Sequence, residues 1–442
     1  MNHTNNQLKE PRRGQVGIRQ YGFTRNSIWR VNVINAIPAI GRCCYYFWVV
    51  LLPLILFPVA GRAAEPITKV WETILESANG YSICPGPNGS VLVAGDKGFA
   101  GGYLAKIDRE GKVVWAKTYD EKLFPTPKSV TPFGSGYLLV GFSKHLTSSN
   151  SDSGNFYMLQ VDGSGNKIRS DGYGSDREGE CGRFGKATPD GGFIVAGSQG
   201  GSPGCRSYVV KFNRAGDSEW AKCFGRTDGE MNLGHGQIID LAKDGGYGLV
   251  RTDEDEDTPF IVLDKITGNG EIQWERKFPY KYKGQAWGVK STKDGGFIVV
   301  GDSDSFKGDQ EKWVVQTRGY GRLRARQGGR ASSIFLAKVD SAGNVQWAKG
   351  FGGPCEDYGR GVIETSDSGY LAVGTTCLDD LEGNVEFMKF SGDGKFLWGQ
   401  VVTNPGRDVG RDVLETAPGE YVLIGNNTRN GTSVIKFRET GR

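Results

Sequence analysis

The sequence predicts an all-β protein, a seven-bladed β-propeller, because three features recur along it after residue 64. A tight glycine-containing turn leads into an apolar strand seven times. A strand that ends in Lys or Gln plus an apolar residue also recurs seven times, and a strand with Trp follows most copies. Each repeat then has four short antiparallel strands, whose two apolar faces cannot be covered by one sheet alone, so we expect radial stacking around a channel.

The first feature has its clearest form in Asp190-Gly-Gly-Phe-Ile-Val-Ala-Gly197. Asp-Gly-Gly supplies the positive φ angles of a two-residue hairpin turn. The other copies begin at Asn88, Gly134, Asp244, Asp294, Asp367 and Pro418. The second feature comprises Lys106-Ile107, Gln160-Val161, Lys211-Phe212, Lys265-Ile266, Lys338-Val339, Lys389-Phe390 and Lys436-Phe437.

The third feature is the Trp strand, and it predicts how the ring closes. Its aromatic residue suits a wedge between neighbouring blades. The last repeat stops before a Trp strand, whereas residues 67–73 form an unmatched one at the start, so we expect residues 67–73 to complete the last blade and remove the exposed edges. The strands carry Trp71, Trp115, Arg169 in place of Trp, Trp220, Trp274, Trp347 and Trp398.

The charge is unevenly distributed. The 442 residues include 54 Lys/Arg and 50 Asp/Glu, but residues 1–64 hold eight of the basic residues and one of the acidic ones. The array at 65–442 therefore has 46 basic and 49 acidic residues. A nearly neutral array lacks the basic face that nucleic acid requires, so we expect no nucleic-acid partner.

Residues 1–64 read as a leader. A basic stretch precedes an apolar run at residues 43–60, which suits a signal peptide cleaved near Gly61-Arg-Ala63 or, alternatively, an N-terminal membrane anchor. In both cases the basic flank stays inside, so the propeller is expected outside the cytoplasm: secreted, periplasmic or at the cell surface. The membrane would be contacted only through this segment if it is not cleaved.

One motif enters three inner strands in the same phase, with a carboxylate three residues before an Arg. The copies are Glu180-Cys-Gly-Arg183, Asp357-Tyr-Gly-Arg360 and Asp408-Val-Gly-Arg411. In one interpretation the carboxylates Glu180, Asp357 and Asp408 pin the loops. In the other, Arg183, Arg360 and Arg411, with Trp287 at the matching position, surround the channel mouth and bind an anionic or sugar ligand.

Two cysteine pairs occupy matching loops, and we expect two disulfides from them. Cys181 pairs with Cys205 and Cys355 with Cys377 in this prediction, because one member precedes the inner strand and the other follows the second strand.

Two charged segments have alternative interpretations. Asp253-Glu-Asp-Glu-Asp257, with Asp264 at the twelfth place, suits either calcium or a solvated acidic loop. An Arg-rich insertion near 311–331 suits either a disordered loop or an arm for a polyanion. No other metal and no cofactor is predicted.

The array resembles the secreted β-propeller repeat proteins of bacteria and archaea, in which Trp-x-Lys-x-Phe/Tyr-Gly-Gly precedes Asp-Gly-Gly-Tyr. Its best copy is Trp347-Ala-Lys-Gly-Phe-Gly-Gly353, followed by Asp357 and by Thr365-Ser-Asp-Ser-Gly-Tyr370. Thr267-Gly-Asn-Gly-Glu-Ile-Gln-Trp274 is more distantly similar to quinoprotein (PQQ) propellers, although the array lacks their adjacent cysteine pair. The resemblance implies a fold for residues 65–442 and no particular activity.

The function that follows is a non-catalytic binding or scaffold module at the cell envelope, monomeric, with a protein or glycan partner. The alternative is a quinoprotein-like or glycan-processing enzyme with its site at the channel mouth. The array has two histidines, His145 and His235, on different repeats, and no haem-attachment motif or nucleophile elbow. Carboxylates could still converge in space, so catalysis stays an open question.

Overall fold

The computed structural model describes the propeller but not the leader or the Arg-rich insertion, so the predictions for residues 1–64 and 311–331 lie outside it. Among the described residues, no helix is long and apolar enough to cross a membrane. The described residues are 67–119, 125–144, 154–174, 180–199, 205–225, 238–255, 258–305, 332–352, 356–377, 383–402, 408–427 and 429–440.

The described chain forms seven four-stranded antiparallel sheets, which confirms the predicted seven-bladed β-propeller. Each inner strand contacts the inner strands of both neighbouring blades, and the seventh contacts the first, so the ring is closed. The inner strands are β2 (Asn79–Pro85), β6 (Thr126–Phe133), β10 (Glu180–Ala187), β14 (Ile239–Leu241), β18 (Gly284–Ser291), β22 (Tyr358–Glu364) and β26 (Asp408–Ala417).

Three further strands complete each blade outward from the channel. The second strands are β3 (Val91–Asp96), β7 (Gly136–Lys144), β11 (Phe193–Gln199), β15 (Tyr247–Asp255), β19 (Phe297–Ser303), β23 (Tyr370–Cys377) and β27 (Glu420–Asn427). The third strands are β4 (Gly102–Ile107), β8 (Gly154–Val161), β12 (Cys205–Phe212), β16 (Thr258–Ile266), β20 (Ser333–Val339), β24 (Gly383–Phe390) and β28 (Gly431–Glu439). The outer strands are β5 (Val113–Tyr119), β9 (Lys167–Tyr173), β13 (Ser218–Phe224), β17 (Ile272–Pro279), β21 (Val345–Phe351), β25 (Phe396–Val402) and β1 (Ile67–Glu76). Two short 3-10 turns, Pro87–Gly89 and Gly98–Ala100, lie in the first blade.

The predicted closure by the N-terminal strand is confirmed. β1 pairs antiparallel with β28, from Ile67 opposite Glu439 to Glu76 opposite Gly431, and so becomes the outer strand of the seventh blade. The chain therefore joins its two ends in one sheet, which leaves no gap in the ring.

The Asp-Gly-Gly turns are longer than the two-residue turn expected. In the third blade the Thr188 N–H donates to the Gly192 carbonyl, which encloses three residues, and Gly191 alone adopts a positive φ of 83°. Gly192 is needed for another reason: a Cβ there would lie 2.2 Å from the Phe212 carbonyl oxygen. The first glycine therefore supplies the left-handed conformation and the second allows the third strand to approach.

The Lys of the third strand is buried and forms an ion pair with the Asp of this turn. Lys338 is 2% exposed, and its Nζ lies 2.7 Å from Asp294 and 2.9 Å from the Val339 carbonyl. Burying a charge without a partner is costly, so the turn carboxylate and the buried Lys require each other. The equivalent pairs are Lys211 with Asp190, Lys265 with Asp244, and Lys389 with Asp367.

The Trp residues are wedges between blades, as predicted. Trp347 Nε1 donates to the Gly392 carbonyl of the next blade at 3.1 Å, and the ring covers Gly394 so closely that a Cβ there would lie 2.7 Å from it. Arg169 takes this role in the second blade, where its Nη1 donates to the Ala215 carbonyl. In these two blades the outer strand is thus held by the turn of the next blade.

Candidate functional site

Six inner strands have a β-bulge at the same position, close to the loop-rich end of the channel. At a bulge one strand has an extra residue, which re-aims a side chain. We call these six residues the rim, and they are Tyr81, Lys128, Arg183, Trp287, Arg360 and Arg411. The matching residue of the fourth blade lies outside the described residues.

The rim therefore includes all four candidate ligand-binding residues and adds two that sequence reasoning missed. Tyr81 and Lys128 occupy the bulges of the first two blades. Neither blade has the carboxylate-x-x-Arg motif. Tyr81 and Lys128 become visible in the sequence only when all the repeats are aligned on the Gly that ends each second strand, and their inner strands are then compared. The rim has four cations and two aromatic rings.

Two of the cations, Lys128 and Arg411, lie against Tyr81, and Arg183 shares a second ring with Lys128. Lys128 Nζ lies 3.3 Å from the centre of the Tyr81 ring, and the Arg411 guanidinium carbon lies 5.4 Å from the same centre. Lys128 and Arg183 share a second ring, Phe142, at 5.6 and 5.9 Å. Attraction between a cation and an aromatic face strengthens when water is excluded, so these rings orient the cations.

Burial changes the protonation of this half of the rim. It lowers the pKa of Lys128 to about 7, with Arg411 and Arg183 lowering it further and Asp96 opposing them. Burial also lowers the pKa of Arg411. Asp96 accepts hydrogen bonds from Asn79 Nδ2 at 3.1 Å and from the Gly98 N–H at 2.9 Å. The carboxylate is thus shared among several donors, which leaves the three cations with excess positive charge.

Unsatisfied polar atoms mark the same end of the channel. Arg411 Nε is buried and has no hydrogen-bond acceptor among the described residues, and the Ser198 and Thr375 hydroxyls are likewise buried without a partner. Ser198 and Thr375 occupy the position of Asp96 in their own blades, one residue beyond the Gly that pairs with the inner strand. Buried polar groups are normally satisfied, so these atoms indicate a place where water or a ligand binds.

The opposite half of the rim is more nearly neutral. The Arg360 guanidinium carbon lies 3.3 Å from the centre of a Trp287 ring, and Trp287 Nε1 donates to Asp302. Burial raises the pKa of Asp302 to about 6, against the effects of the Trp287 hydrogen bond and the Arg360 charge. Asp302 follows Gly301 as Asp96 follows Gly95, so the same position of the repeat carries a carboxylate in both blades.

A second polar layer lies three residues further along the inner strands. Lys186 Nζ lies 2.9 Å from Asp240, and the other oxygen of Asp240 accepts from the Ser291 N–H at 2.9 Å. Burial and the nearby Lys186 charge lower the pKa of Lys290 to about 8. This network joins the third, fourth and fifth blades, so it stabilises the ring below the rim.

The three loop carboxylates are all buried where their inner strands begin. Asp408 accepts a hydrogen bond from Asn427 Nδ2 at 2.6 Å, and the Asp357 N–H donates to the Ser332 carbonyl at 3.0 Å. Glu180 lies against Gly174, where a Cβ would be 2.3 Å from its carboxylate. Their role as loop pins stays a prediction.

The predicted Cys181–Cys205 disulfide is wrong. Cys205 is bonded instead to Cys223, with Cα atoms 5.8 Å apart. Cys181 lies on the inner strand and Cys205 on the third, with β11 between them, so about two strand spacings of 4.8 Å separate them. That exceeds the reach of a disulfide. The second predicted pair includes Cys355, which lies outside the described residues, so the Cys355–Cys377 bond stays a prediction.

The described carboxylates of the acidic segment have a guanidinium partner. Arg251 lies among Asp253, Asp264 and Glu275, with Nε 2.7 Å from Asp264 and Nη2 2.7 Å from Glu275. Asp264, which the calcium interpretation assigned as a metal ligand, therefore forms an ion pair with Arg251. Asp257 lies outside the described residues.

Comparisons with known proteins identify no family. No family model and no curated protein matches the chain. Solved structures that match include the Pan2 WD40 domain of Neurospora crassa, at 9% identity and a TM-score of 0.48, covering 85% of this chain and 96% of that one. YCF48 from Cyanidioschyzon merolae matches at 10% identity and 0.46, covering 85% and 99%. Puromycin hydrolase matches at 12% identity and 0.48, covering 81% of this chain and about half (51%) of the hydrolase.

Proposed function

We propose that this protein is a non-catalytic binding propeller of the cell envelope, which holds an anionic glycan at the rim. The observation that carries the proposal is the convergence of four cations, Lys128, Arg183, Arg360 and Arg411, on equivalent bulges at one end of the channel. Arginine forms paired hydrogen bonds with carboxylate, sulfate and phosphate groups, so a charged group is the feature recognised.

The geometry favours an anion over a neutral sugar. Neutral sugars are held by stacking on open aromatic faces, but Tyr81 and Trp287 each have a cation at 3.3 Å from the ring centre. These rings therefore hold the cations in place. The buried Arg411 Nε supplies a donor for the ligand.

The location follows from the leader. Its basic stretch precedes an apolar run, which favours export of the propeller. Cell fractionation, with determination of the mature N-terminus, tests this part: a propeller recovered from the cytoplasm with the leader attached contradicts it. We expect the exported protein to be a monomer.

Calorimetric titration tests the binding site. We expect the protein to bind a heparin hexasaccharide and not maltohexaose, a neutral sugar of the same length. Arg411→Gln should weaken heparin binding at least about tenfold, since a hydrogen bond to a charged group contributes about 1.5–3 kcal/mol. Lys112→Gln, an exposed lysine on a turn at the other end of the blades, is the matched control. Equal losses in both variants, or equal binding of maltohexaose, would refute the proposal.

The protonation of Lys128 supplies a second test of the same site. Because its pKa is about 7, about nine-tenths of Lys128 is charged at pH 6 and about one-tenth at pH 8. Heparin sulfates stay ionised over this range, so its affinity should fall up to about tenfold between pH 6 and 8. Lys128→Arg keeps the charge and should flatten the profile. A profile that is the same in both proteins would show that Lys128 does not contact the ligand.

A further inference from the structure

Glu386 is a buried carboxylate in the sixth blade that nothing in the fold explains. It lies opposite Gly374 in the pairing of β23 and β24, and it is 0% exposed. Neither of its carboxylate oxygens has a hydrogen-bond partner among the described residues. Such a group is expensive to bury, and a native structure normally compensates it with a donor, a water or an ion.

The other blades place different residues at this position. The Gly that ends the apolar strand faces an aromatic side chain in four of them: Tyr103, Tyr157, Tyr208 and Phe335. A carboxylate in place of an aromatic ring is therefore specific to the sixth blade. It is not part of the scaffold that the repeat requires.

A second buried carboxylate lies on the same face. Asp357 is 0% exposed. The pKa of Glu386 is raised mainly by its burial and further by the nearby Asp357 charge. Gly359 pairs with Gly374, which pairs with Glu386, so side-chain alternation puts Asp357 on the face of Glu386. This face looks at the fifth blade, because a Cβ on Gly374 would lie 2.7 Å from Ile334 Cδ1.

The fifth blade adds an unpartnered hydroxyl to this face. Ser332 is 1% exposed and its Oγ has no hydrogen-bond partner among the described residues. Its carbonyl accepts from the Asp357 N–H at 3.0 Å, which places the backbone of Ser332 against that of Asp357. Thr376 and Asn384, a cross-strand pair next to Gly374 and Glu386 along the same face, are buried as well. Each of these side chains carries an oxygen atom that can coordinate a cation.

We propose that Glu386, Asp357 and Ser332 form a calcium site that joins the fifth and sixth blades. Calcium takes six to eight oxygen ligands in flexible geometry, and the two carboxylates match its charge. Among the described residues no group of three or more Asp, Glu, His or Cys side chains is arranged to hold a metal ion, so hydroxyl, carbonyl, amide and water oxygens complete the ligand set. This site is separate from the rim, and it would stabilise the propeller whether or not the rim binds a glycan.

Thermal unfolding in calcium or in EDTA tests the site on the whole protein. At a calcium concentration about a hundred times the dissociation constant, the unfolding temperature should rise by about 3 °C, as expected for a protein of this size. Titration calorimetry should give one calcium per chain. Glu386→Gln should abolish both responses. Glu271→Gln, an exposed carboxylate in the fourth blade, should leave both unchanged.

Three results would overturn the proposal. The first is a wild-type protein that does not respond to calcium. The second is an equal response from Glu386→Gln, which would place the ion elsewhere. The third is a Glu386→Gln protein that is more stable than wild type in EDTA while calcium binds neither, which would mean that the two carboxylates share a proton instead.

Discussion

The contribution of a Trp wedge to stability can be measured with alanine substitutions at two glycines that share the same backbone conformation. Gly343, in the turn between the third and outer strands of the fifth blade, and Gly245, in the Asp-Gly-Gly turn of the fourth, both have φ near +84°. A Cβ at Gly343 would lie 2.8 Å from the Trp274 ring of the fourth blade, whereas a Cβ at Gly245 would meet nothing within 4 Å. The two alanine substitutions therefore share the backbone strain and differ in the clash.

The magnitudes follow from these two effects. An alanine in the left-handed region costs about 1–2 kcal/mol, and this should be the whole effect of Gly245→Ala. Gly343→Ala adds the cost of forcing extra volume into a packed contact, about 1–3 kcal/mol. Arg276 also donates to the Gly343 carbonyl, so the displaced Trp274 would disturb that contact too.

Urea unfolding followed by Trp fluorescence measures both variants. We expect Gly343→Ala to lose about 1–3 kcal/mol more unfolding free energy than Gly245→Ala. Combining Gly343→Ala with Trp274→Ala should remove the excess, because the ring that causes the clash is then absent. Equal losses in the two single variants would show that the Trp strands do not wedge the blades together.

Three further predictions concern the closure, the cysteines and the buried carboxylate. Removing residues 65–75 deletes the outer strand of the seventh blade, so the unfolding free energy should fall by more than it does when one core Trp is truncated, which costs about 3–5 kcal/mol. An unchanged melting temperature would contradict the closure. Cys205→Ser should cost about 3 kcal/mol in oxidised protein, from a crosslink spanning 18 residues, and Cys181→Ser much less; equal effects in urea unfolding would exclude the Cys205–Cys223 bond. In EDTA, stability should fall as pH rises from the unfolded Glu pKa of about 4.3 through the raised folded pKa of Glu386, because the folded state retains the proton; Glu386→Gln should remove this fall, and a slope that persists in the variant belongs to another group.

The repeat predicted the fold because its pattern is redundant. The Trp strand at residues 67–73 precedes the first complete repeat, and the last repeat lacks a Trp strand. In a closed ring these two can only pair with each other, so the pairing of β1 with β28 could be predicted. The Trp wedge followed from the same phase, including the substitution by Arg169.

The errors arose where strand order alone does not fix distance. Cys181 and Cys205 share one end of a blade, but the pairing prediction ignored β11 between them, whereas Cys223 lies on the strand adjacent to Cys205. The turn length was misjudged because Asp-Gly-Gly suits both two-residue and three-residue turns.

The site was predicted in part. Arg183, Arg360 and Arg411 were visible because a motif repeats around them, and Trp287 because it aligns with them. The position of Lys128 required an alignment of all the inner strands, and the pKa of its amine could not be predicted, since it depends on burial by residues of several blades. In the sequence Glu386 differs only as a carboxylate where four other blades have an aromatic residue. Its environment could not be predicted, because it comes from Asp357 and Ser332, more than 25 residues away in the chain.

Hydrogen–deuterium exchange with and without the heparin hexasaccharide tests the anion site most directly. We predict slower exchange where β2, β6, β10 and β26 begin, around Tyr81, Lys128, Arg183 and Arg411, and unchanged exchange in the Asp-Gly-Gly turns at the other end of the channel. Arg411→Gln should reduce this protection at all four strands. Protection confined to the turns, or to residues outside the propeller, would contradict the proposal that the rim binds the ligand.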